Sequence, residues 1–145
     1  ALELVEQLPQ ITSIFIPVGS GTTLIGISQK LPPQTKIFAA QSAANPTVSK
    51  LFDSDFIPEN RIITDALSVK FLPQKQKIID VINHTNGFAF TLQNEAIVSA
   101  NSYLSSQKII TSLEGALAYA AYQKALKLNF NIGNFPVILL TGAKR

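Results

Sequence analysis

The sequence has no cysteine, methionine or tryptophan and a single histidine, and only 14% of its 145 residues are charged. Without cysteine there is no disulfide framework, no thiolate metal site and no cysteine nucleophile. One histidine, His84, sits in an Asn-Gly turn; alone it makes no zinc site and disfavours a catalytic triad, so it reads as a solvated loop residue. Long apolar runs are missing too. Stretches such as Val137-Ile138-Leu139-Leu140 fall far short of the ~20 residues that a membrane-spanning helix needs. No basic segment followed by an apolar one opens the chain, so no secretory signal is read and a cytoplasmic location is expected. Disorder is excluded by what is present: 46% of the residues are apolar and the net charge is only +3, the reverse of a segment unable to bury itself.

Removing the two cations Lys144 and Arg145 from that +3 leaves +1, and no nucleic-acid partner is implied. A free-standing small domain usually carries ~25% charged residues. This chain carries fewer, opens at Ala1, and stops at Thr141-Gly142-Ala143-Lys144-Arg145 directly after an apolar run. It therefore reads as one α/β domain cut from a longer chain, with part of its surface covered by the missing N-terminal part. A homodimer is a further expectation.

Along the chain, Leu2, Val5 and Leu8 repeat three apart, suiting a helix ended by Pro9. Ser13-Ile14-Phe15-Ile16-Pro17-Val18 is the apolar, β-branched run of a strand buried on both faces. Gly19-Ser20-Gly21-Thr22-Thr23 follows, then helical spacing from Leu24 to Leu31, then a second strand over Lys36-Ile37-Phe38-Ala39-Ala40. Strand, helix, strand makes a βαβ unit and predicts a parallel sheet. A short helix is expected from Asn45-Pro46 to Phe52, while residues 53–73 yield no assignment. A short helix from Gln74 to Ile82, a strand Phe88–Leu92 and a helix Asn94–Ser105 with Ile97, Ala100 and Leu104 on one side come next. Thr111-x-x-Glu114 fits a capping box. It opens a helix whose stripe is Leu113, Leu117, Ala120, Ala121 and Leu128, with Lys124 and Lys127 off it. Phe135–Leu140 returns as a buried strand. The predicted class is an open, mainly parallel α/β sheet with helices on both faces.

A glycine turn between a buried strand and a helix has two readings. Backbone N–H groups there point outward and the helix dipole adds positive charge, which suits an anion, with Ser20, Thr22 and Thr23 as extra donors. A tight turn binding nothing explains the same residues. No Gly-Lys-Ser/Thr follows, so it is not a Walker loop; Gly26 comes two residues late for a dinucleotide fingerprint, and no acidic residue ends the second strand. Lys70, Lys75 and Lys77 lack interleaved aromatics and read as a solvated face. Asp53, Asp55 and Glu59 could hold a hard cation by spacing alone, but no EF-hand pattern surrounds them and they read as solvated loop residues.

Four stretches share an order: Ile14 through Gly26 around the glycine turn, Thr64-Asp65-Ala66-Leu67-Ser68-Val69, Ser112-Leu113-Glu114-Gly115-Ala116, and Leu139-Leu140-Thr141-Gly142. Together they resemble the C-terminal part of the pyridoxal-phosphate enzymes of the tryptophan-synthase β-type fold, threonine synthases most closely. Thr22 stands where a second glycine is common, Leu113 where proline is common, and Ala143-Lys144-Arg145 where threonine synthases read x-G-L-K. The resemblance implies that Gly19, Ser20, Gly21, Thr22 and Thr23 hold the phosphate of pyridoxal 5'-phosphate. It implies that the Thr141 hydroxyl donates to the pyridine nitrogen, and that Glu114-Gly115 start a helix near the cofactor. The implied reaction converts O-phosphohomoserine and water to threonine and phosphate. A threonine/serine dehydratase is the sibling alternative, and a non-catalytic phosphate-binding module the alternative of another class. The family's Schiff-base lysine lies upstream of the glycine turn, and Lys70 is no substitute. On this reading the chain holds half of an active site for a small amino-acid substrate, has no catalytic residue or metal of its own, and is inactive alone.

Overall fold

β-branched and aromatic residues fit a pleated surface buried on both sides, and four short runs of them pair into one sheet. In the computed structural model, which describes residues 2–64 and 67–142, the strands are β1 (Ser13–Pro17), β2 (Lys36–Ser42), β3 (Phe88–Leu92) and β4 (Pro136–Ile138). Their spatial order is β3-β2-β1-β4, and every pairing is parallel. The helices are α1 (Leu2–Gln7), α2 (Thr22–Ser28), α3 (Lys75–His84), α4 (Asn94–Ser106) and α5 (Leu113–Lys127), with a 3₁₀ turn at Ser49–Leu51. The open parallel α/β sheet expected from the sequence is what forms.

Alternation along each strand sends aromatic side chains to one face and aliphatic ones to the other. Phe15, Phe38 and Phe90 meet on the first face, with ring centroids 4.8 Å apart for Phe15–Phe38 and 5.9 Å for Phe38–Phe90. Helices α4 and α5 cover them, α5 through Ala116, Ala118, Ala120, Ala121 and Ala125, small side chains that let it contact all four strands. On the second face Ile14, Ile16 and Ile37 pack under Leu24 and Ile25 of α2 and Ile78 and Ile82 of α3.

Several expectations shift. Helix α2 begins at Thr22 and ends at Ser28, and the expected helix after Asn45-Pro46 shrinks to the 3₁₀ turn. Helix α1 carries no buried residue. The last strand is three residues long and half-buried, and it pairs only with β1 at the sheet edge; a proline at its first position suits an edge. The cap of α5 is Ser112, whose hydroxyl accepts from Gly115 N at 3.3 Å, one residue later than the Thr111 box. His84 is exposed as expected but closes α3.

The largest correction concerns residues 53–61 and Lys124. Asp53 is 4% exposed and is not a solvated loop residue. Its carboxylate accepts from Lys124 Nζ at 2.7 Å, Thr91 N at 2.8 Å and Asp55 N at 2.9 Å. Lys124 also donates to the carbonyls of Asp55 and Thr91, so it faces this loop and not solvent. Glu59 binds Asn94 N at the start of α4. No group of metal-ligating side chains is found among the described residues.

This packing can be probed at two places. Lys124→Met leaves a buried carboxylate without its counter-charge and lowers unfolding free energy by about 3 kcal/mol in chemical denaturation. Tyr119 stacks on Tyr103 at 5.6 Å. Burial first, then Tyr103 and Tyr122, pushes its phenol above the ordinary value of 10.0. An acid held protonated by the fold loses nothing below its unfolded pKa, and its stabilisation is lost as pH rises from about 10 through the folded pKa. Absorbance titration of the tyrosines therefore shows a late-ionising phenol, which Tyr119→Phe removes.

Candidate functional site

The site is built where the sheet changes direction. Strands β1, β2 and β3 add on one side, whereas β4 returns to the other side of β1. Loops leaving the carboxyl ends of β1 and β4 therefore part company, and a crevice opens between them. Both of its walls come from stretches singled out in the sequence.

The first wall is the glycine turn. After Pro17, Val18 N is tied to Ala40 O at 3.0 Å, and the chain turns through Gly19-Ser20-Gly21 into α2. Gly21 has φ +84°, and a Cβ there would lie 2.1 Å from Ile78 Cδ1. Both the left-handed backbone and the contact with α3 demand glycine. Among the described residues, the amides of Gly19, Ser20 and Gly21 donate to no protein acceptor. These three residues line a cleft of about 250 Å³, with Thr23 beside them, Thr141 on the other side, and Leu67 and Val69 as apolar lining. Among the described residues, no carboxylate lines it. Five of the six residues assigned from the sequence thus converge. Thr22 is exposed and outside the cleft, its hydroxyl 3.1 Å from that of Ser20.

The second wall is the exit from β4. Leu139 N donates to Phe15 O at 3.0 Å. Beyond it the backbone is held by the start of α5: Ser112 Oγ donates to Thr141 O at 2.7 Å, and Thr111 Oγ1 lies 3.3 Å from the carbonyls of both Thr141 and Gly142. Thr111 was read only as a helix cap and Ser112 only as part of the Ser112–Ala116 stretch of the resemblance, so neither was read as holding a distant segment. The usable signal was a pair of adjacent hydroxyls facing glycines at 115 and 142. Of the Thr64–Val69 stretch, Thr64 is buried and Leu67 and Val69 reach the cleft; Asp65 and Ala66 lie outside the described residues, as do Ala143, Lys144 and Arg145.

A larger cavity, about 610 Å³, lies between residues 54–57 and helices α4 and α5. Its buried-side cation, Lys124, is already neutralised by Asp53. The smaller cleft is the better candidate because its donors are uncommitted.

The family model for pyridoxal-phosphate-dependent enzymes matches residues 1–142, and the chain belongs to that family. It is 25% identical over 155 aligned residues to the biosynthetic L-threonine dehydratase of Escherichia coli (strain K12), a match covering 99% of this chain and 29% of that protein. Its fold is similar to that of the T.th. threonine deaminase, with TM-score 0.76 and 22% identity over 99% of this chain and 54% of the other. Maize serine racemase gives the same TM-score and identity, over 47% of its chain. The chain therefore spans less than a third of the curated relative and about half of these solved structures. The cofactor expected from the sequence, pyridoxal phosphate, is the family's own. Threonine synthase, the narrower expectation, is not singled out by these relatives.

The glycines make a clear prediction. Gly21→Ala meets both strain and Ile78 and destabilises by roughly 1–3 kcal/mol. Gly26 occupies an exposed position of α2, and a methyl group there would meet nothing within 4 Å. Gly26→Ala therefore stabilises by about 0.5–1 kcal/mol. Thermal denaturation of the two variants checks the contrast.

Proposed function

We propose that this chain supplies the phosphate-holding and ring-facing wall of a pyridoxal-phosphate-dependent lyase acting on hydroxy amino acids, of the threonine/serine dehydratase type. The observation that carries the reading is the convergence, in one cleft that no described carboxylate lines, of Gly19, Ser20 and Gly21, whose amides are unpaired among the described residues, with Thr141. An ester phosphate needs several donors and no competing anion, and the turn offers both conditions. Side chains on Gly19 or Gly21 would crowd Leu67 or Ile78, so the backbone itself must form the cradle. Ser20 and Thr23 line the same cradle and add hydroxyl donors.

Thr141 is a neutral donor. Facing a pyridine nitrogen it hydrogen-bonds without handing over a full proton, whereas a carboxylate there would hold the nitrogen protonated. When bound, the cofactor withdraws electrons from the α-carbon of an amino acid, and a ring left unprotonated is a moderate sink that suits loss of a β-substituent. Leu67 and Val69 add apolar lining and limit water at the cleft. Among the described residues no lysine lines the cleft; the anchoring amine and the base for the α-proton belong, on this proposal, to the remainder of a longer protein, consistent with the partial coverage of its relatives. The named relatives support dehydration over the threonine-synthase reaction that the motifs suggested.

Assay of the full-length protein tests this. L-Threonine or L-serine should yield a 2-oxo acid and ammonia, and O-phosphohomoserine should release no phosphate; phosphate release without 2-oxo acid would return the reading to threonine synthase. Charge-assisted bonds to the phosphate are worth roughly 1.5–3 kcal/mol each, so pyridoxal phosphate should bind at least about tenfold more tightly than pyridoxal. Equal affinities overturn the cradle.

A further inference from the structure

We propose that Thr111 and Ser112 are positioning residues: by gripping the backbone of Thr141 and Gly142 they aim the Thr141 hydroxyl into the cleft. The inference rests on the functional reading above, in which that hydroxyl meets the cofactor ring.

The β1–β4 ladder ends before the residue that matters. Strand β4 stops at Ile138, and Leu139 N to Phe15 O is the last backbone bond between the two segments. Two residues further on, Thr141 must be held by something else. The N-terminus of α5 does this with Ser112 Oγ to Thr141 O at 2.7 Å, Thr111 Oγ1 to Thr141 O and Gly142 O at 3.3 Å each, and Ser112 N to Gly142 O at 3.3 Å.

The geometry of the grip is specific. Ser112 Oγ also accepts from Gly115 N at 3.3 Å, so its lone pair serves the helix cap and its proton is directed at Thr141 O. One hydroxyl thus ties the helix start to the strand exit. Close approach depends on two glycines. A Cβ on Gly115 would fall 2.0 Å from Thr111 Oγ1 and 2.9 Å from Thr141 O, and one on Gly142, where φ is +76°, would fall 2.8 Å from Ser112 Oγ. Thr111 itself is only 2% exposed. The Thr141 carbonyl is therefore doubly satisfied, while its own hydroxyl donates to no protein group among the described residues. A backbone fixed this firmly with its side chain left free is the arrangement that pre-organises a binding group. Behind the grip, α5 is seated across the whole sheet, so the aim of Thr141 is referred to the rigid core and not to a loop.

The test uses the apo form of the full-length protein and 4'-deoxypyridoxine 5'-phosphate, which keeps the ring nitrogen and phosphate but has no aldehyde to react with an amine. Its dissociation constant is measured by fluorescence titration, and inorganic phosphate is measured by competition. Ser112→Ala and the near-isosteric Thr111→Val should each weaken the analogue about fivefold, the effect of one net hydrogen bond, and leave phosphate unchanged. In a Thr141→Val background the same substitutions should add less than about twofold, since coupled residues are not additive. Thr111→Ser and Ser112→Thr, which restore the hydroxyl, should recover binding. Thr111→Val keeps the helix cap, so it answers the question even if Ser112→Ala unfolds the start of α5. Equal weakening of analogue and phosphate, full additivity with Thr141→Val, or no effect overturns the clamp alone. An analogue that binds no better than its dephosphorylated form, with Thr141→Val silent, overturns the functional reading and the clamp together.

Discussion

Strand β1 pairs in parallel along both of its edges, and the cleft exists because of it. With β2 on one side and β4 on the other, β1 is the strand at which the order β3-β2-β1-β4 reverses, both of its neighbours following it in the chain. The register Ser13↔Pro136, Ile14↔Val137, Phe15↔Ile138 sets how far β4 runs before it turns. A slip of one residue would move the exit by ~3.3 Å and reverse the faces of its side chains. Thr141 would then no longer oppose the glycine turn. Topology thus places the wall, and register places the residue.

The core composition serves the same end. Three phenylalanines give one face of the sheet its bulk, and the helix laid over them meets them largely with alanines, beside Leu117 and Tyr122. Large side chains on one partner and small ones on the other let α5 sit close to the strands. Close seating is what brings Thr111 and Ser112 within hydrogen-bond range of the segment leaving β4. On the opposite face Ile78 of α3 fills the space beneath Gly21, so the aliphatic layer fixes the glycine turn as the aromatic layer fixes Thr141. The two walls of the cleft are anchored in different halves of the core.

What could be read from the sequence was whatever is encoded by neighbours along the chain. Phe88–Leu92 alternates and forms β3, Ile97, Ala100 and Leu104 repeat and bury one side of α4, and the glycine turn is marked by its own residues. Contacts between distant residues left no local trace. Asp53 and Lys124 are 71 positions apart, and Glu59 and Asn94 are 35 apart. Separately each is an ordinary loop acid or helix-surface cation, and only the folded chain shows that a stretch without periodicity is pinned by charge to β3 and α5. Burial at the sheet edges left no local trace either. Val137 and Ile138 are as apolar as central-strand residues and are half-buried in the edge strand β4, whereas Ala89–Leu92 of the opposite edge strand β3 are buried. The cap of α5 moved by one residue because Thr111 and Ser112 are both hydroxyl side chains, and the choice between them was settled by the segment 141–142, which the local pattern does not contain.

Size alone would have selected the other cavity. The 610 Å³ space beside α4 and α5 is more than twice the volume of the cleft. Yet two of its polar groups are spent: Lys124 on Asp53 and two carbonyls, and Gln93 on Ile57 and Glu59. A ligand drawing on these two would have to break bonds already made, at the cost of leaving their partners unsatisfied. At the glycine turn the balance is reversed. The amides of Gly19, Ser20 and Gly21 donate to nothing within the described chain, and Thr141 is held by its carbonyl so that its hydroxyl stays available. Solvent water can satisfy such groups, and an anion with several oxygens can replace that water in one step. Unspent donors on a rigid frame, not volume, are what make this crevice the candidate site for the cofactor.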